Sequence, residues 1–419
     1  MQHEVGRQPV RRNRSLGTMV FPFIMCLLPW ILRFGRPPWQ AASDQAFISF
    51  GFEMTPMIGA LALGLTTYAL RGPSKVAETV SILLIYFGTQ SGMTVYMKNV
   101  LSKVVVDAEE GLRGIPIAFM LTAIQQFVAF ALFCCFMLAG RLFGSGYRVK
   151  KLASKRDYIA VLCFSATFAL NTGLNNFGLS LLSISVQMLI RSCTPVSTAV
   201  SQVAMGSFLG LGKKSSLAPM EWLLMLLGVG CTGLATYAKS ACSQSHEESK
   251  ALALGVVVSV TSIFSAALNF VLAGVLGSEM KLNPVDTTCY MSLPAGIFLL
   301  VPALLVSHPL GSWHGYPSMT DWEVLGEVVS RNPYALFPVL FSGCLAFMYN
   351  ILQYTLVHKL SAVYAAFAGN FNKAATVTIS LVSGMEALPS GQWGYLFLAG
   401  IVGNITCFTS FSSLKVKNK

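Results

Sequence analysis

Apolar runs of about 20 residues recur along almost the whole chain, and each is long enough to cross roughly 30 Å of hydrocarbon as a helix. Ten of them follow residue 78: 79–97, 115–139, 158–175, 182–203, 221–238, 252–275, 287–307, 333–353, 360–382 and 393–412. They are continuous rather than alternating, so a transmembrane β-barrel is excluded and helices remain. Only 11% of the 419 residues are charged, against roughly 25% in soluble proteins. The expected fold is an all-α polytopic membrane protein. Two further apolar segments precede the ten. Residues 46–70 have span length and contain Glu53, whereas 18–32 is short and interrupted by Pro22 and Pro29. The short one reads equally as a signal anchor, a re-entrant piece or a tilted helix, and the Arg-rich start also permits a transit peptide.

The fourth and ninth runs each carry a cation well inside, Arg191 and Lys373, while the other 27 Lys and Arg lie at span ends, in loops or in the tails. A cation at bilayer depth costs from about 2.5 to more than 10 kcal/mol, so it faces a protein-lined cavity or a partner. Around Arg191 the chain places Asn171 upstream, Gln187 at i−4 and Thr194 at i+3. That spacing gives one polar helix face over two turns. Pro195 then breaks a backbone hydrogen bond and kinks the helix. The guanidinium is a planar fork suited to phosphate or carboxylate. The plainer reading is that Arg191 bonds helix carbonyls or pairs with Glu78. Lys373 follows Asn370 and Asn372 within one turn, with small residues Ala362, Ala365, Ala366, Ala368 and Gly369 before it. Small residues permit close helix packing. Its plainer reading is a lysine that snorkels to the interface. The eighth run ends on Asn350, Gln353 and Tyr354, suited to a base or sugar, although tyrosines there also serve as interfacial anchors. Glu53 and Glu78 read either as proton carriers or as structural ion-pair partners, and Lys98 is expected at the interface.

Orientation follows from Lys and Arg. If the first of the ten spans starts in the cytosol, 15 of these residues fall in cytosolic segments and 5 (Lys103, Arg113, Lys239, Lys250, Arg331) on the opposite side. The positive-inside rule favours that choice, which makes the C-terminus cytosolic and loop 308–332 non-cytosolic. The same rule accounts for the net charge of +12, so nucleic acid is not an expected partner; the bilayer is. Ten spans divide into two fives, in which the fourth and ninth occupy equivalent places and both open on Leu-Ser, at Leu182-Ser183 and Leu360-Ser361. An odd number per half inverts one half relative to the other, the pattern of secondary transporters. The expected division is therefore an N-terminal extension (1–75), a first five-helix repeat (76–240), a second (250–414) and a basic tail (415–419). The ten cysteines show no metal-ligand spacing, no phosphate loop or nucleophile elbow occurs, and the five histidines lie outside the spans. No enzyme, metal or cofactor is expected. Lys415, Lys417 and Lys419 resemble a di-lysine retrieval signal of the early secretory pathway, or form a generic basic tail.

Taken together, these features resemble the drug/metabolite transporter superfamily, in its nucleotide-sugar and triose-phosphate branch. The resemblance runs from about residue 79 to 417. The family's fourth helix reads roughly Ser-Phe-x-x-x-Ile-Lys-Ser-x-x-Pro, and here Ser185 is followed by Ile190-Arg191-Ser192 and Pro195. Its ninth reads Leu-Ser-Pro-Val-Thr, then Gly-Asn-x-x-Lys; here stand Leu360-Ser361-Ala362-Val363-Tyr364 and Gly369-Asn370-Phe371-Asn372-Lys373. Pro294 and the run Leu121–Gln126 also fit. The family's lysine in helix 4 is replaced by Arg191. The arginine that plastid phosphate translocators carry after the ninth-helix lysine is replaced by Ala374. The resemblance implies an antiporter that exchanges a nucleotide sugar for a nucleoside monophosphate by alternating access, without a metal and often as a homodimer, in Golgi or endoplasmic reticulum. A plastid-envelope sugar-phosphate/phosphate translocator is the alternative, and a non-transporting membrane scaffold or regulator the reading from another class. The expected substrate-binding residues are Arg191, Lys373, Gln187, Thr194, Asn171, Asn350, Tyr354, Asn370 and Asn372, around an anionic small molecule.

Overall fold

The computed structural model describes residues 44–70, 75–142, 148–198, 200–201, 218–241, 246–278, 280–310, 313, 315–382 and 388–417. The segment 18–32, the Lys213–Lys214 loop and the last two residues lie outside them. The chain divides into units Met1–Ile48 and Ser49–Lys419; of the first, only residues 44–48 are described, as helix. The second unit is almost wholly helical. Its long elements are α1 (Asp44–Leu70), α2 (Lys75–Ser102), α3 (Ala118–Leu142), α4 (Lys155–Leu181), the short α5 (Ile184–Ser192), α6 (Pro219–Ala241), α7 (His246–Ser278) and α8 (Pro284–Leu305). After them come α9 (Asp321–Arg331), α10 (Leu336–Val382) and α11 (Gln392–Lys417). Among the described residues, eight helices are long and apolar enough to cross a membrane. The chain is an all-α polytopic membrane protein.

Two expected spans are not among the eight. Residues 182–203 do not form one helix: α5 stops at Ser192, Cys193 forms a turn, and helix resumes at 194. The cause is Pro195, which supplies no N–H to the carbonyl four residues back and crowds it. Residues 360–382 belong to α10, a helical run of 47 residues with no break at the expected junction. Residues 351–368 contain neither Pro nor Gly, and Ala362 stands where the family pattern has proline, so no residue there forces the helix to end.

Nevertheless α10 is not straight. Near its start, Pro338 O accepts from Tyr96 Oη at 2.9 Å. Further on, Tyr349 stacks on Tyr86 at 6.5 Å. The first arm therefore runs antiparallel to α2. Continued straight, it would carry residue 372 about 35 Å past Tyr349 at 1.5 Å per residue, beyond the start of α2. Instead Asn372 bonds to Gln90 and Ser91, and Thr376 to Ser91, which lie between Tyr86 and Tyr96. The path of α10 therefore bends sharply between Tyr354 and Asn372.

The loops join at both ends of the bundle. At one end, β1 (Val105–Asp107) pairs with β2 (Leu112–Arg113), and β3 (Ser307–His308) with β4 (Met319–Thr320). Thr320 and Glu323 form a capping box that starts α9, each side chain satisfying the other's backbone N–H. Trp313, 1% exposed, donates to Gly114 O at 3.0 Å. Gly114 has φ +81°, and a Cβ there would lie 2.4 Å from Leu101 O, so the turn requires glycine. Arg331 pairs with Asp107 at 3.0 Å and with Glu110 and Glu327 at 2.7 Å each. At the other end, Lys150 N donates to Asp286 at 3.3 Å and Lys150 Nζ to Met280 O at 2.7 Å. Loops 98–117 and 307–335 thus share one end, and 148–154 and 280–286 the other.

Candidate functional site

The break at Cys193 sets the geometry of the core. With Pro195 at i+4, the Arg191 carbonyl has no helical N–H donor. Two side chains take its place. Lys373 Nζ, beyond the bend of α10, donates to Arg191 O at 2.8 Å, and the Thr194 hydroxyl donates to the same oxygen. The negative end of the α5 dipole favours a cation at that position. The two intramembrane cations that the sequence singles out therefore meet, but through the backbone of one and the side chain of the other.

The guanidinium of Arg191 points elsewhere. Its Nη2 lies 3.4 Å from Asn171 Oδ1 on α4, and it interacts with the phenols of Tyr86 and Tyr349. Gln90 lies near both phenols, whose rings stack at 6.5 Å. Among the described residues no carboxylate pairs with Arg191. Asn171 is held by α7, where Ser262 Oγ donates to Asn171 O at 2.8 Å. The Asn171 amide and the two tyrosines thus lie near the guanidinium.

The remaining predicted residues divide. Gln187 is fully buried: its Nε2 donates to Asn175 Oδ1 at 3.0 Å and its Oε1 accepts from Ser259 at 2.5 Å. It fastens α5 between α4 and α7. Asn372 faces α2 through Gln90 and Ser91. Tyr354 Oη donates to Met291 Sδ at 3.4 Å, and its ring lies 6.0 Å from that of Phe164, so it packs against α8 and α4. Asn350 is 3% exposed and its Nδ2 has no hydrogen-bond partner, a donor left over in the core. The side chain of Asn370 lies outside the described residues. A small cavity of about 10 Å³ adjoins Lys373, lined by Met188, Ser192, Val377, Asn404 and Phe408 among others. That is the room of about one water.

Sequence reasoning missed several members. Lys98, expected at the interface, instead donates to Leu179 O and Leu182 O at 2.8 Å each, because α2 runs on to Ser102 and carries the lysine into the bundle. It caps the end of α4 just where α5 begins. Tyr86, Gln90 and Ser91 lie at i, i+4 and i+5 in the first span, and Ser259 and Ser262 at i and i+3 in the sixth. Those polar pairs at helical spacing were the available signal.

No family model matches the chain. A probable sugar phosphate/phosphate translocator of Arabidopsis thaliana is 23% identical over 278 residues, covering 65% of this chain and 78% of that protein. A second of the same description and organism is 24% identical over 354 residues, covering 84% and 87%. The UDP-galactose transporter 1 of Arabidopsis thaliana is 26% identical over 219 residues, covering 52% and 56%. At this low identity, these relatives indicate the drug/metabolite transporter superfamily, in its nucleotide-sugar and triose-phosphate branch.

Proposed function

We propose that the chain is a secondary transporter that exchanges a nucleotide sugar for a nucleoside monophosphate by alternating access. The observation that carries this reading is the meeting of Arg191 and Lys373 at a helix break in the core, among amides, hydroxyls and phenols. Discontinuous helices whose freed backbone lies beside charged groups are how transporters build midplane sites. An anionic substrate would draw on both cations, with Asn171, Thr194 and Asn350 within the same polar shell. Asn350 Nδ2 is the donor that a ligand oxygen would satisfy.

Helix packing supports two inverted five-helix halves. Matching spans of the two halves pack on each other, as α6 does with α11, α3 with α8, and α5 with α10. The contact of α4 with α7 has its counterpart in α2 with the first arm of α10. The relatives are named for nucleotide sugars and for sugar phosphates alike. The stacked Tyr86 and Tyr349 beside Arg191 favour a substrate with a planar base, because aromatic rings bind flat apolar faces while their hydroxyls fix orientation. Exchange of a sugar phosphate for phosphate is the second reading, favoured by the greater coverage of those relatives. The basic tail favours Golgi or endoplasmic reticulum over the plastid envelope, and a homodimer accords with the family pattern.

The test is counterflow in proteoliposomes. Liposomes loaded with UMP should take up labelled UDP-galactose faster than liposomes loaded with phosphate take up a labelled triose phosphate. Lys373→Ala should cut the initial rate at least tenfold, the scale of one lost hydrogen bond to a charged group. Transport by Lys373→Ala at the wild-type rate would falsify the anion site.

A further inference from the structure

In a site built to bind phosphate, an empty carrier would be left with unsatisfied cations in its core, and that cost alone would oppose its return across the membrane. The geometry at the α5 break removes part of the cost. Lys373 Nζ sits 2.8 Å from Arg191 O, an oxygen made available only because position 195 is proline. The ammonium is thus seated on the backbone at the helix break, beside a cavity of about 10 Å³.

We propose that Pro195 is a positioning residue: it exposes the Arg191 carbonyl as a parking acceptor that holds Lys373 when no substrate is bound. This inference rests on the transporter reading above. Substrate phosphate and the Arg191 carbonyl then compete for one ammonium. Binding requires Lys373 to leave the carbonyl, whose second donor, the Thr194 hydroxyl, stays in place. Release returns Lys373 to it. The parked lysine lowers the cost of an empty carrier, so the protein carries out net transport as well as exchange. Restoring an N–H at position 195 gives the carbonyl its helical donor, takes the parking acceptor from Lys373 and leaves the lysine to the substrate. Such a variant binds substrate more tightly, and its empty form returns more slowly.

Two measurements test this. The first is a double-mutant cycle on melting temperature in the ligand-free, detergent-purified protein, with Pro195→Ala and Lys373→Met. Lys373→Met should lower the melting temperature by at least about 2 °C more in the wild-type background than in the Pro195→Ala background, since only in the former does the carbonyl lose a charged donor and keep the Thr194 hydroxyl alone. Other consequences of losing the lysine are common to both backgrounds and cancel. Equal shifts overturn the parking contact whether or not the protein transports either probe. If Pro195→Ala does not fold, Pro195→Ser restores the same N–H. The second compares net efflux of labelled UMP into substrate-free medium with its exchange against UDP-galactose. In Pro195→Ala the efflux-to-exchange ratio should fall about tenfold, with a lower KM for UDP-galactose. An unchanged ratio overturns the coupling role. Failure of the wild type to exchange this pair or the sugar-phosphate pair overturns the transporter reading instead, and the melting cycle still decides the contact.

Discussion

Replacing Asp321 by alanine should destabilise the protein by roughly 3–5 kcal/mol, although the residue only opens α9 and touches neither cation. The carboxylate is fully buried and serves two partners. Its Oδ1 is 2.6 Å from His308 Nε2, and His308 is itself only 3% exposed. Its Oδ2 accepts from Met120 N at 2.7 Å. Met120 is the third residue of α3, so its N–H is one of those at a helix start with no intrahelical acceptor. An aspartate 201 residues away in sequence supplies the cap. Alanine leaves both the amide and the imidazole without their partner in a place water does not reach, and each orphaned group costs about 1–3 kcal/mol. Asparagine keeps one acceptor oxygen and should cost less than half as much. Thermal unfolding of the purified protein in detergent should show Asp321→Ala melting about 5 °C or more below wild type, with Asp321→Asn between them. Adding His308→Phe to Asp321→Ala should recover part of the loss, because one orphan disappears. If Asp321→Ala melts within about 1 °C of wild type, the amide and the ring find water or other acceptors, and the buried-cap argument is wrong.

Acid should loosen the same end of the bundle. The backbone N–H groups of Glu110 and Glu109 hold the Asp107 carboxyl below the usual carboxylate range, while Arg331 does the same for Glu110. Depressed folded values mean that the stabilisation is present at neutral pH and lost as pH falls through them, below about pH 4. Melting temperature measured from pH 7 to pH 3 should therefore drop at the acid end, and Arg331→Met should flatten that drop; parallel curves would refute it. Between α6 and α11, a Cβ on Gly400 would lie 2.8 Å from Cys231 O and one on Gly403 2.6 Å from Cys231 Sγ. Gly400→Val should force these helices apart at a cost of roughly 1–3 kcal/mol, read as a lower melting temperature, whereas a value unchanged from wild type would show that the crossing has slack.

The spans were legible because bilayer thickness and hydropathy leave little choice of element or length. Arg191 and Lys373 stood out for the same reason, since a cation in an apolar run has few explanations. Pro195 announced a kink, and the structure places the break two residues earlier, at Cys193, since proline disturbs the turn before it. What the sequence left hidden was direction. Gln187 is spaced to share a face with Arg191, yet its amide turns to Asn175 and Ser259, because a buried amide is placed by whichever neighbours complete its hydrogen bonds. Lys98 was misplaced because a span end read from hydropathy is uncertain by several residues, and here those residues decide between interface and interior. The role of the Arg191 carbonyl was also hidden, since backbone acceptors have no letter in a sequence; only the proline four residues on hinted at it.

The loops at the Arg331 end have a consequence for the carrier as a whole. In the two-half reading proposed above, identical inverted halves would make the two facing directions equal in free energy. The clasp of Arg331 with Asp107, Glu110 and Glu327, with Trp313 set on Gly114, joins the first half to the second at one mouth. At the other mouth Lys150 makes a smaller set of ties. The degeneracy is broken by loops that touch no substrate. In that reading the clasp would favour keeping its own mouth shut.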